Sequence, residues 1–92
     1  MEARNEYAVE MKRRNFRRAA MIAEEASLGE DELVEAREAA FKQTLGEWFN
    51  FRGAESLARE WGLTRGDVAR LSDEIIDEFN QRKEREGREV QV

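Results

Sequence analysis

Five cationic side chains fall within seven residues: Lys12, Arg13, Arg14, Arg17 and Arg18. On a helix Arg13 and Arg17 share a face, as do Arg14 and Arg18. Such a set can neutralise several phosphates, and binding through it is steeply salt-dependent. The competing explanation is a solvated helix face, or one that meets the acidic stretch Glu30 to Glu38 within the fold or across a dimer. That stretch and the two glutamates before it hold Glu24, Glu25, Glu30, Asp31, Glu32, Glu35 and Glu38, where a carboxylate metal or acid–base site would be sought. The chain has no histidine, and none of these carboxylates reads as a buried pair. A solvated acidic face is expected, with no metal and no cofactor. No glycine-rich phosphate cradle is present, and Ser27, Ser56 and Ser72 have no histidine to activate them. The chain is not expected to be an enzyme.

Composition bounds the rest. Ninety-two residues suit one domain with a small core. A hydrophobic fraction of 40% against 40% charged, with no proline, fits a soluble helical protein. The absence of cysteine excludes disulfides and thiolate metal sites. No apolar run approaches the ~20 residues of a membrane span. Met1 to Glu10 lacks the hydrophobic centre of a signal peptide, so a cytoplasmic location is expected. The net charge of −5 counts against coating nucleic acid by bulk electrostatics, but it is uneven: +3 over residues 1–22, −6 over 23–47 and −2 over 48–92.

The elements that would position these side chains are all helical, since no period-2 segment of useful length occurs. Tyr7 to Ala26 repeats Phe16, Ala19, Ile22, Ala23 and Ala26 at three- and four-residue steps, a helix with a small-residue face. Ser27-Leu28-Gly29 ends it, either with Gly29 as C-cap or with Ser27 and Glu30 as a capping box for the next helix. Glu30 to about Asn50 carries the heaviest apolar face. Gly46 sits within that face at a cost of roughly 1 kcal/mol relative to alanine; close approach of a neighbouring helix, or a kink, explains it. Gly53 would cap a short helix over Ala54 to Trp61. Thr64 would open the last helix, in which Val68, Leu71, Ile75 and Phe79 form a stripe joined by Ile76. It would run in solvent to about Glu86 and stop at Gly87. Trp48, Phe49, Phe51 and Trp61 flank a turn at helical spacing and are expected in the core, with Phe51 the most exposed of them.

Within this frame Ala54 to Leu71 reads AESLAREWGLTRGDVARL. It resembles the helix-turn-helix superfamily of DNA-binding modules. Gly62 falls at the family's turn glycine, Ala58 at the small residue four positions earlier and Val68 at the branched residue six positions later. Leu57, Trp61, Leu63 and Leu71 fill the other apolar places. Thr64 can accept from an early amide while Asp67 reaches back to close a capping box. The resemblance implies that residues 30–50 and 54–61 are the first two helices of the unit and that 64–80 is the recognition helix. Arg65, Asp67, Ala69, Arg70 and Asp73 would then face base edges, with Thr64 near the phosphates and Ser56 and Arg59 on them. A guanidinium can bond guanine O6 and N7 together.

The expected protein is an all-α, four-helix orthogonal bundle containing a helix-turn-helix-like unit: residues 7–26 an N-terminal helix, 30–80 the core and 81–92 a charged tail. It would bind double-stranded DNA through Thr64, Arg65, Asp67, Arg70, Ser56 and Arg59, aided by Arg13, Arg14, Arg17 and Arg18. It would regulate transcription as a dimer, with Leu71, Ile75 and Phe79 extending into the seam. Residues 54–73 nevertheless hold three arginines against four acids. The alternative is an acidic helical protein–protein interaction module on the same scaffold, docking around Phe51. Arginines held by neighbouring carboxylates favour that alternative; a basic patch continuous from Arg13–Arg18 to Arg65 and Arg70 favours DNA.

Overall fold

The computed structural model of the chain describes residues 2–90, with side chains described as far as Arg85. All regular structure among the described residues is helical: α1 (Ala3–Lys12), α2 (Phe16–Glu25), α3 (Glu30–Lys42), α4 (Phe51–Glu60) and α5 (Arg65–Val90). A π-helical turn, Gln43–Glu47, extends α3. Among the described residues the protein is an all-α bundle of five helices where four were expected.

The fifth helix arises from a break inside the segment expected to be continuous from Tyr7 to Ala26. Arg14 takes φ 66°. The amides of Arg14 and Asn15 turn back to the carbonyls of Met11 (3.1 Å) and Glu10 (2.9 Å). This pair of bonds closes a helix C-terminus around a left-handed residue. The backbone reversal also removes the shared faces expected for Arg13 with Arg17 and Arg14 with Arg18.

α2 closes in the same way, with Ser27 at φ 51° and the amides of Ser27 and Leu28 bonded to Glu24 (3.3 Å) and Ala23 (3.0 Å). Ser27 is thus the left-handed residue, and Gly29 (φ 135°) becomes the N-cap of α3. Neither of the two endings expected there is realised. α4 starts at Phe51 and not at Ala54, because the Asn50 side chain accepts from the Gly53 amide at 2.9 Å and makes Asn50 the N-cap. At its far end Gly62 has φ 64°, with Gly62 and Leu63 donating to Arg59 (3.3 Å) and Ala58 (2.9 Å). α5 passes through Gly87 to Val90. One interior glycine costs only about 1 kcal/mol, and Arg88, Glu89 and Val90 hold no proline that would end the helix. The remainder of the expected tail, Gln91 and Val92, lies outside the described residues.

Two apolar clusters hold the bundle. Ala19, Ala20 and Ala36 are buried where α2 crosses α3, with Tyr7, Met11 and Trp61 packed against them. Phe41, Ala54 and Leu71 join α3, α4 and α5, backed by Leu45, Ala58, Leu63 and Val68. Trp61 links the clusters: it ends α4, packs on the first cluster and lies 5.7 Å beneath the Arg37 guanidinium. Among the described residues, six of the nine buried hydrophobic residues are alanine. Helices can approach closely over so small a lining, but little large apolar surface is hidden.

Gly46 accounts for the approach of α5. A Cβ there would sit 2.9 Å from Ile75 Cγ2, inside van der Waals contact, so α5 rests against bare backbone. The neighbouring-helix explanation of Gly46 holds, and the π-helical turn lies at the same place.

Candidate functional site

The local geometry expected at the start of α5 is present. The Thr64 amide donates to Asp67 Oδ2 and the Asp67 amide to Thr64 Oγ1, both at 3.0 Å. The Thr64 amide, with the Thr64 side chain second, holds the Asp67 carboxyl below its ordinary range. Asp67 is therefore committed to its own helix end.

The cations fare differently from expectation. Arg70 is exposed, yet it bonds Glu38 of α3 and lies 3.5 Å from Glu74. The Glu38 hydrogen bond, then its charge, pushes the Arg70 guanidinium pKa further up. Arg59 closes on Glu55 at 2.6 Å, one helical turn away. Ser56 and Arg65 are exposed, and no carboxylate lies within ion-pair reach of Arg65 among the described residues.

Three members of the N-terminal cluster, though exposed, are also paired within the chain. Glu10, buried in spite of its charge, accepts from Asn15 Nδ2 at 2.9 Å and lies 3.5 Å from Arg13 and 4.0 Å from Arg18. Arg14 pairs with Glu47. Arg17 is exposed with no carboxylate within reach among the described residues. Arg14 comes beside Phe79 and Arg82, in the opposite half of α5 from Arg65 and Arg70. Residues 70 and 79 are about 13 Å apart along the helix axis. The expected meeting of Arg13–Arg18 with the acidic stretch 30–38 is not the pairing adopted; Arg70 and Arg4 take Glu38 and Glu32 instead. Among the described residues, no three acidic side chains converge as a metal site, and no helix is long and apolar enough to cross a membrane.

A concavity lies between the end of α3, with its π-helical extension, and the middle of α5. It is a groove of about 700 Å³. Leu45, Gly46, Ile75 and Ile76 contribute to it, with Phe16, Phe49, Phe51 and Phe79 around them. The exposures are 68% for Phe49, 68% for Phe51, 56% for Ile76 and 60% for Phe79. Trp48 beside them is 60% exposed. Arg14–Glu47 stands on one side and Lys42–Glu78 (2.8 Å) on another.

This overturns the assignment of Trp48, Phe49 and Phe51 to the core; only Trp61 packs as expected. The physical reason is the ending of α3. Phe49 takes φ 52°, and the Asn50 amide returns to the Thr44 carbonyl at 2.9 Å. The chain turns away before those rings can follow the Phe41–Leu45 face inward. Phe51 was singled out as the most exposed aromatic, and it is exposed along with its neighbours. The groove as a whole was missed. Its signal was the adjacent pair Ile75-Ile76 followed by Phe79: a stripe that buries Leu71 cannot also bury two successive residues.

No protein-family model, curated protein or solved structure matches the chain.

Proposed function

We propose that the chain is a protein-contact module: an acidic helical bundle that docks a protein partner through the groove between the end of α3 and the middle of α5. The observation that carries this is the inversion of its apolar residues, with alanine filling the buried positions while Phe49, Phe51, Ile76 and Phe79 stand in water. Scattered exposed apolar residues need no explanation, but a contiguous rimmed patch marks an interaction surface. The pairing of Arg70 with Glu38, Arg59 with Glu55, and Arg13 and Arg18 with Glu10 supports the same conclusion. Those cations already serve carboxylates of their own chain.

DNA binding, with a role in transcription regulation, is the second reading. It is favoured by the left-handed Gly62, the Thr64–Asp67 capping box and the exposed Arg65. One experiment separates the two. The labelled protein is titrated with mixed-sequence duplex DNA at about 50 and 200 mM salt, and its amide shifts are followed. The protein-contact function predicts no salt-sensitive shifts at residues 54–72 or 12–18. It also predicts that a cellular protein retained by the wild type is lost with Phe51→Glu and kept with Arg65→Ala. Salt-sensitive shifts in both segments would replace it with the DNA function. Arg65→Ala should then relax sequence discrimination, whereas Arg17→Ala should weaken binding to all sequences and flatten the salt slope.

A further inference from the structure

We infer that the occupant of the groove is a second copy of this chain, the two copies meeting face to face about a two-fold axis. This rests on the protein-contact function and names its partner. Three features of the groove favour self-association over a foreign segment.

The first is shape. Phe49 and Phe51 stand exposed at the rim of a hollow that Leu45, Ile76 and Phe79 also line, so one surface supplies both protrusion and recess. A two-fold interface needs that self-complementarity, because every residue meets the same patch on its partner. The second is charge. The chain carries −5 overall, which opposes association of like copies. At the groove, however, Arg14 is joined to Glu47 and Lys42 to Glu78. Each of these flanks is a closed pair of opposite charges, and the remaining charged side chain of the lining, Arg82, is exposed, so a second copy meets no wall of like charge there.

The third is area. A fully buried aromatic side chain hides roughly 150–250 Å². Four large side chains exposed at 56–68% offer roughly 400–600 Å² on that scale. Two copies together would cover about 1,000 Å², the lower bound of a specific interface. The inferred dimer is therefore concentration-dependent, not obligate.

Sedimentation velocity of the wild-type protein, from about 1 to 500 µM, tests this directly, with Phe79→Glu and Ile76→Glu beside it. Both substituted residues are exposed, and helix content by circular dichroism checks that each variant folds. The expected result is a reversible dimer that either substitution weakens by about 30-fold or more, the loss typical of a central interface residue. A mixture of isotope-labelled and unlabelled protein should give intermolecular contacts at Phe49, Phe51 and Phe79. A wild type that stays monomeric throughout overturns the inference, and so does a dimer that neither substitution weakens. A monomer that shows no DNA binding, and whose captured partner is lost with Phe51→Glu, removes the second copy as occupant but keeps the protein-contact function. A monomer that binds DNA in salt-sensitive fashion removes both.

Discussion

Phe49 occupies a backbone position poorly suited to it. A non-glycine residue in the left-handed region pays about 1–2 kcal/mol in steric terms, and its φ of 52° is combined with a ring left mostly in water. Neither burial nor backbone preference accounts for phenylalanine there; contact with something outside the chain does. Phe49→Gly should therefore stabilise the isolated chain by up to about 1 kcal/mol, after glycine's own entropic cost. Urea unfolding at low protein concentration measures that gain, while self-association should weaken. A loss of stability together with unchanged association would make Phe49 a packing residue. Tyr7 allows a second test at this scale. Its hydroxyl donates to the Glu32 carbonyl at 2.8 Å. Burial first, then the charges of Glu35 and Glu32, push its pKa from 10.0 to about 12. It is the single tyrosine in the chain, so an alkaline absorbance titration reports it alone. A value raised on folding means this contribution to stability is intact below 10.0 and lost as pH rises towards about 12. Denaturation midpoints at about pH 9 and pH 11 should differ in that direction. A folded-state midpoint near 10.0 would place Tyr7 in water, away from α3.

At the scale of elements, helix boundaries were legible where residue type marks them and not elsewhere. Thr64 and Asp67 announce the start of α5 by residue type and spacing, and the bonds between them form as read. Gly62 announces the end of α4, because glycine is the residue expected at a left-handed stop. Arg14, Ser27 and Phe49 perform the same stop with side chains that give no warning, so α1 and α2 read as one helix and the aromatics after α3 read inward. Local sequence cannot register that Arg14, at positive φ, pairs with Glu47 far along the chain. Thr64→Ala should cost about 1 kcal/mol of unfolding free energy, typical of a lost N-cap, and should let the Asp67 pKa rise towards 3.8. Carboxyl NMR reads that rise. Because the Asp67 pKa is lowered on folding, its contribution is present above 3.8 and lost as pH falls through the folded value. Gly46→Ala makes a separate test. Its new methyl would meet Ile75 at 2.9 Å, and overpacking of this kind costs about 1–3 kcal/mol. A neutral substitution would mean that α5 can slide off the end of α3.

For the whole molecule the balance lies between one scaffold and two kinds of partner. Beside the α4–α5 turn, Arg59 and Arg70 are ion-paired within the chain, whereas Arg65 has no such pair among the described residues. Arg70 is the pivotal case, because Glu38 reaches it from α3 and Glu74 from the next turn of α5. If charge alone withholds this surface from DNA, Glu38→Gln with Glu74→Gln should release it. That pair of changes removes two negative charges and leaves both side-chain shapes nearly intact. The variant should acquire weak duplex binding at about 50 mM salt that disappears by about 200 mM, since each added phosphate contact steepens the salt dependence by roughly one unit. Arg70→Ala in the same background should abolish the gain. Fluorescence anisotropy with one labelled duplex measures all three proteins. Steep wild-type binding, unaltered in the variant, would mean that Glu38 does not restrain Arg70 and that the face of α5 already serves DNA. A variant that stays silent while folded would locate the obstacle elsewhere, in Asp67 and Asp73, whose carboxylates remain on that face. Only the first outcome, binding gained by removing Glu38 and Glu74, identifies one ion-paired arginine as the difference between a DNA reader and a protein-contact module.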